Sequence, residues 1–461
     1  MTRSLRTLRW FVLACGMGLA VPAIAQPPLL LPSDPLPDLQ QQIDQLQGVV
    51  GDLQQRLDQA EAVAGSQPPS VVATPSSRRN PSGFRPGEAA CGSVCNYYHE
   101  FDWSKDAYIS VGAGLRTSFV AAENMAANGT SYSKDWVVDS TRLYFNGRGH
   151  KYIGFEVNTD IQNFYIRPFV TDSDAVQFRL LDAIAKFGDG GSINLWAGRM
   201  LPPSDRANLS GPFYINTYDF PFVSNEAAIF DGRDDGVVLW GLVGSQALKY
   251  QVGVYNGANS IVGGTNPSDS AQFNGRLVYN FLDPEAGYYN QSTYYGAKEI
   301  LAVGAALIHQ NGGVYSATDG VSNLTSWTID ALYETKLSGG GVFTLNSAYY
   351  NYNTNVVTND LNANTRDGTA LLAEVAYMLP DAYRFGNFVG HFRPVFRWQE
   401  YNHKFSVISA QQAAINRGTD LELQYVINGS NARLSAGWGQ RDLADGRNNI
   451  NVFLLGVQLQ F

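Results

Sequence analysis

Asn451-Val452-Phe453-Leu454-Leu455-Gly456-Val457-Gln458-Leu459-Gln460-Phe461 closes the chain, and it alternates. Asn451, Phe453, Leu455, Val457, Leu459 and Phe461 share one side; Leu454, Gly456, Gln458 and Gln460 share the other. A period of two is the period of a β-strand, whose successive side chains point to opposite faces. An apolar face opposed to a polar or small face suits a strand with lipid on one side and water on the other.

The same pattern recurs upstream. Phe273, Leu277, Tyr279 and Phe281 oppose Asn274, Arg276 and Asn280. Ile153, Phe155, Val157 and Ile161 oppose Glu156, Asn158 and Asp160. Phe388, Phe392, Phe396 and Trp398 oppose His391, Arg393 and Arg397. From about residue 105 the reading predicts sixteen strands, near 108–120, 136–148, 151–163, 176–187, 192–200, 228–243, 247–256, 271–282, 299–309, 325–337, 341–353, 369–379, 388–401, 417–428, 430–440 and 451–461. Connections alternate in length. Gly339-Gly340-Gly341 and Asn428-Gly429-Ser430 are tight turns. Segments 121–135, 201–227, 257–270, 310–324, 354–368, 402–416 and 441–450 are long and polar. Short turns on one side and long loops on the other are what an antiparallel transmembrane barrel shows. Segment 283–298 is the exception, long but on the short-turn side.

Composition agrees. Only 16% of residues are charged, below the usual quarter, against 46 Gly, 25 Tyr, 24 Phe and 8 Trp. Residues 1–25 read as a secretory signal, with Arg3, Arg6 and Arg9 before the short apolar run Trp10 to Val21 and Ala23-Ile24-Ala25 as the cleavage pattern. Removing those three arginines and no acid takes the formal charge from −9 to −12, which gives no support for nucleic-acid binding. Cys15 lies in the signal, leaving Cys91 and Cys95, either a small-loop disulfide of an oxidising compartment or a pair of free or metal-bound thiols. They lack histidines in zinc spacing, although His99 is near. The reading includes no cofactor and no metal.

Leu39, Ile43, Leu46, Val50, Leu53, Leu57, Ala60 and Ala64 alternate in steps of four and three. Segment 36–64 is therefore read as a self-associating coiled coil, or as one amphipathic helix lying on another surface. Segment 65–104, rich in Pro, Ser and Gly over 65–90, is read as a tether to the barrel of 105–461.

Several stretches resemble the phosphate-selective porin family of Gram-negative outer membranes. Asp231-Gly232-Arg233-Asp234-Asp235-Gly236-Val237-Val238 and then Tyr250-Gln251-Val252-Gly253-Val254-Tyr255-Asn256-Gly257 are similar to its Arg-Asp-x-Gly strand and the hairpin partner ending in aromatic-Asn-Gly. Leu195-Trp196-Ala197-Gly198-Arg199-Met200-Leu201-Pro202-Pro203 resembles the strand leading into the third external loop, and Arg142 to Ile161 resembles the second and third strands. The closing Phe461 resembles the terminal signal of outer-membrane barrels. The resemblance implies a sixteen-stranded outer-membrane barrel forming homotrimers, with small solutes or ions, such as phosphate and other anions, as its cargo; the N-terminal segment 36–64 is expected on the periplasmic side. It also implies that segment 201–227 folds inward and narrows the channel, the alternative being a cover over the mouth. That segment carries Asp205, Arg206, Asp219 and Glu226, with Arg199 just before it.

By parity, Arg116, Arg142, Lys249, Arg276, Arg393, Arg397 and Arg433 face inward, as do Glu156, Asp160, Asp330, Glu334, Glu374 and Glu422. These form either a mixed, mutually paired wall or a basic track opposed by acids, with Arg393, Arg397 and Arg433 at its centre. The five histidines (His99, His150, His309, His391 and His403) have no nucleophile motif beside them, so the sequence points away from an enzyme. The alternative to a pore is a structural barrel tethered through the N-terminal helix.

Overall fold

The computed structural model describes residues 97–100, 107–162, 177–224, 232–258, 269–316, 320–354, 367–404, 415–443 and 449–461. The signal at 1–25, the heptad at 36–64, all of the tether 65–104 except 97–100, Cys91, Cys95 and Glu226 lie outside them.

The described chain is a single eighteen-stranded sheet. In chain order the strands are β1 (Tyr97–Glu100), β2 (Tyr108–Ala122), β3 (Ser133–His150), β4 (Ile153–Gln162), β5 (Gln177–Phe187), β6 (Asn194–Met200), β7 (Asp234–Val243), β8 (Leu248–Tyr255), β9 (Gln272–Asn280), β10 (Ile300–Ser316), β11 (Gly320–Lys336), β12 (Val342–Asn353), β13 (Gly368–Met378), β14 (Ala382–Phe385), β15 (Phe388–His403), β16 (Ile415–Asn428), β17 (Ala432–Leu443) and β18 (Ile450–Gln460). β1 pairs only along the start of β2, and β14 is a four-residue return against β15. The other sixteen pair antiparallel with their neighbours, and β18 closes the ring on β2, from Val452 opposite Ala122 to Gln460 opposite Gly114. Phe461 continues the closure, exchanging both backbone hydrogen bonds with Ala113 at 2.7 and 2.9 Å. Every strand of the ring has two partners, which removes the open edge that lipid could not satisfy.

Alternation places the side chains. Phe273 and Leu277 on β9 are 57% and 55% exposed, and the outward rows of the other strands are likewise apolar, whereas Asn274, Arg276 and Asn280 are buried inside. All thirteen charged residues assigned inward by parity are buried. The tight turns hold as read: the Leu337 amide donates to the Gly341 carbonyl, and the Asn431 amide to that of Asn428, both at 2.8 Å.

Segment 310–324 corrects the sequence reading. Its polarity predicts a long loop, but most of it continues β10 and β11 as a hairpin, with a register shift between Gln310 and Val314. Its residues are polar because about ten suffice to cross the bilayer, and these strands of 17 residues project beyond it, where neither face needs to be apolar.

Candidate functional site

The segment after β6 turns into the barrel. Pro202 and Pro203 cannot continue a strand ladder, and Asp205 then caps a single helical turn, α1 (Arg206–Ser210), accepting from the Ala207 and Asn208 amides at 2.9 and 3.3 Å. Every residue of α1 is buried. Asp205 also accepts from the Ser224 hydroxyl at 2.9 Å and the Tyr350 hydroxyl at 3.1 Å. Burial pushes its carboxyl up, and the Ser224 bond offsets part of that rise.

Arg206 is held on two sides. Its guanidinium donates to both carboxylate oxygens of Glu285, at 2.6 and 2.8 Å, and its backbone amide donates to Asp330 at 3.2 Å. Arg276 on β9 takes Asp330 in a second two-point contact at 2.6 and 2.8 Å. Four buried charges thus form two interlocked pairs, the arrangement in which the planar guanidinium is most effective.

Further along, Ile215 to Asp219 lie against the opposite wall. Arg393 donates to the side-chain oxygen of Asn216 at 2.6 Å and to its carbonyl at 3.3 Å. Arg397 donates to the Asp219 carbonyl at 2.6 Å and to Asp420 at 2.8 Å. Arg433 donates to the Ile215 and Thr217 carbonyls at 3.1 and 3.3 Å. Glu422 accepts from the Tyr218 amide, and Glu374 from Asn216, at 2.8 and 2.9 Å. The Tyr218 ring lies 4.1 Å from the Arg116 guanidinium carbon, and its hydroxyl donates to Asp139 at 2.8 Å. Gly456 gives that ring its place, because a Cβ there would stand 2.5 Å from it.

The structure therefore brings Asp205, Arg206, Arg393, Arg397 and Arg433 to one inward loop and the wall it touches. The half-buried Asp219 faces a small space shared with Arg397, Asp420 and Arg441. Arg199 stands apart. It pairs with Asp235 at 2.7 and 2.9 Å on the outward-facing register of β6 and β7, and its side chain is 32% exposed.

Parity missed several inward charges. Lys186 contacts Glu156, Arg233 lies 3.2 Å from Asp182, and Arg441 lies 2.6 Å from Asp420. On β5 the reason is a register shift against β4 between Asn158 and Thr159, which buries Leu181 and Asp182 in succession and reverses the phase. Among the described residues the buried charges number twelve bases and twelve acids, each 0 to 9% exposed.

No known family model matches the sequence, and no curated protein matches it. Solved structures do. OprB of Pseudomonas putida at high pH is 10% identical, with 77% of this chain and 94% of that one covered at a TM-score of 0.53. The anion-selective porin from Comamonas acidovorans is 14% identical, covering 77% of this chain and 100% of that one at 0.49. The outer-membrane channel DcaP of Acinetobacter baumannii is 13% identical, covering 78% and 99% at 0.48. At these identities the likeness is one of fold.

Proposed function

We propose that this chain is an outer-membrane channel for passive diffusion of small solutes or ions. The observation that carries the reading is the pairing of a closed sixteen-strand ring, apolar outside and charged inside, with a long loop held within it. A charged inner face beneath an apolar outer one suits a barrel whose interior meets water or solute. The fold shared with OprB supports it. Purified protein in a planar bilayer tests it: discrete conductance steps are expected, and folded, inserted protein that passes no current would sink the reading.

The finer parts are proposals of the same reading. The motif resemblance supports anions, phosphate among them, as cargo, and supports a homotrimer. The heptad at 39–64 supports an N-terminal periplasmic segment that self-associates. Native mass measurement before and after deletion of 36–64 tests this: a trimer is expected for the full chain, and a monomer in mild detergent removes the claim.

One observation favours a second reading. The inward charges are covered by the chain's own segments, as in a barrel whose interior is filled for rigidity. On that reading the protein is a structural barrel with little transport, and the bilayer measurement separates the two.

A further inference from the structure

Segment 283–298 joins β9 to β10 at the short-turn end, where its neighbours are tight turns lying outside the barrel. This one enters the barrel. Glu285, Tyr288, Asn290, Ser292 and Thr293 are 0 to 2% exposed. Its base is closed by bonds between Asp283 and Glu299, both at 2.9 Å, so the segment leaves and rejoins the wall at one point.

Between those ends it crosses the interior. On one side Lys249 of β8 donates to the Gly287 carbonyl at 3.1 Å and also to Asn290. On the other, Arg433 of β17 donates to the Tyr295 hydroxyl at 3.1 Å. From β8 to β17 is eight steps round a ring of sixteen, half the circumference. The segment is a strap across the whole lumen, and it lies against the inward loop. Arg206 grips Glu285, the Tyr288 hydroxyl donates to the Leu201 carbonyl at 2.7 Å, and the Ser292 amide donates to the Tyr214 carbonyl at 3.0 Å.

We infer that the strap is an autoinhibitory gate: docked on the loop 201–224 through the Arg206–Glu285 pair it closes the barrel, and solute passes when it undocks toward the short-turn end. The inference rests on the channel reading. It explains why a connection that needs only a few residues is long, and why its polar groups are spent on the loop and on Lys249, Gln251 and Glu334 of the wall rather than on solvent. Its polar contacts are hydrogen bonds and ion pairs, which water can replace as the strap leaves, while Tyr288 and Tyr289 pack beside Trp196, Leu201 and Trp240. A purely apolar plug would lack that exchange.

A crosslink tests it. The Ser210 and Ser292 hydroxyl oxygens lie 3.3 Å apart, one on α1 and one on the strap. In a chain carrying Cys91→Ser and Cys95→Ser, the changes Ser210→Cys and Ser292→Cys place two thiols across the contact. Each preparation is first shown to be a folded barrel by its gel shift on boiling. Expected is loss of most open-channel current in the oxidised form and its return on reduction. A chain with 284–297 replaced by a short Gly-Ser turn should conduct several-fold more than wild type. Thiols that fail to pair in the folded barrel would contradict the contact itself. Equal currents before and after reduction, with the disulfide verified by mass, would overturn the gate and leave the channel reading standing. No current from wild type, reduced protein and shortened strap alike would overturn the channel reading, and the gate with it.

Discussion

Removing the Arg206 guanidinium would leave Glu285 ionised, buried and without its main cation. Truncating one partner of such a pair costs about 3–5 kcal/mol, far more than an exposed pair. Arg206→Ala is therefore expected to loosen the strap, while replacing both partners by apolar residues of similar size restores much of the loss. Protease sensitivity of 283–298 in the folded barrel is the measurement, and equal resistance in all three proteins would refute the argument. The pH response follows from the same pair. Burial alone would raise the Glu285 carboxyl, but Arg206, Lys249 and the Tyr294 hydroxyl hold it down at about 2. An acid held below its ordinary value of about 4.3 contributes stability that is complete above that pH. The contribution is lost as pH falls through about 2. Trp196 packs against Tyr288 of the strap, ring centroids 4.7 Å apart and tilted by 36°, and reports its position. The part of the tryptophan emission change that falls below the ordinary carboxyl range should be absent in Glu285→Gln, whereas any change above it belongs to groups such as Glu156, whose partner Lys186 lies 4.2 Å over the Trp196 ring. At this scale the sequence discloses what stands on regular strands. Arg393, Arg397 and Arg433 were legible because period two fixes their side. Glu285 was not, because an irregular segment carries no period, and Lys186 was not, because a register shift reversed the phase of β5.

Strands, by contrast, were legible almost throughout, since one face of each meets lipid and must be apolar along its whole crossing. The reading failed where that requirement ends, in the stretch of β10 and β11 beyond the bilayer. It also gave no sign that the exceptional segment 283–298 would turn inward, because nothing in composition separates a polar strap from a polar loop. Local backbone demands are visible once the strands are paired. Gly198 on β6 has φ +127°, and a Cβ there would stand 2.0 Å from the Ala183 carbonyl oxygen of β5. Gly198→Ala should therefore weaken the β5–β6 pairing and misplace the loop that follows. Gly275→Ala, where a Cβ meets nothing within 4 Å, serves as the control. The readout is the yield of folded barrel after refolding from urea. Equal yields would show that the wall gives way more easily than this close approach implies.

For the whole molecule, ring closure has a mechanical consequence. With every strand paired on both sides, detergent finds no edge at which to begin, so unboiled protein should migrate apart from boiled protein on a gel. Identical migration together with a mainly helical circular dichroism spectrum would contradict the fold. Charge has a consequence at the same scale. The formal charge of −9 says little about permeation, because acids in loops need not face the path. Inside, twelve buried bases meet twelve buried acids, a balance that predicts weak selectivity for wild type. Arg393, Arg397 and Arg433 stand together where the inward loop meets the wall, and they donate to its carbonyls. Glutamine at all three keeps a donor at each position but removes three of the twelve bases, leaving the acids in excess. Fixed charge in a narrow pore raises the local concentration of counter-ions. The triple variant should therefore shift its reversal potential in a salt gradient toward cation preference while its gel shift on boiling is unchanged. The effect should fade as salt rises, since screening shortens to about 3 Å at 1 M. A reversal potential identical to wild type at low salt would place the permeation path away from these arginines, and the balance of buried charge would then have no bearing on selectivity.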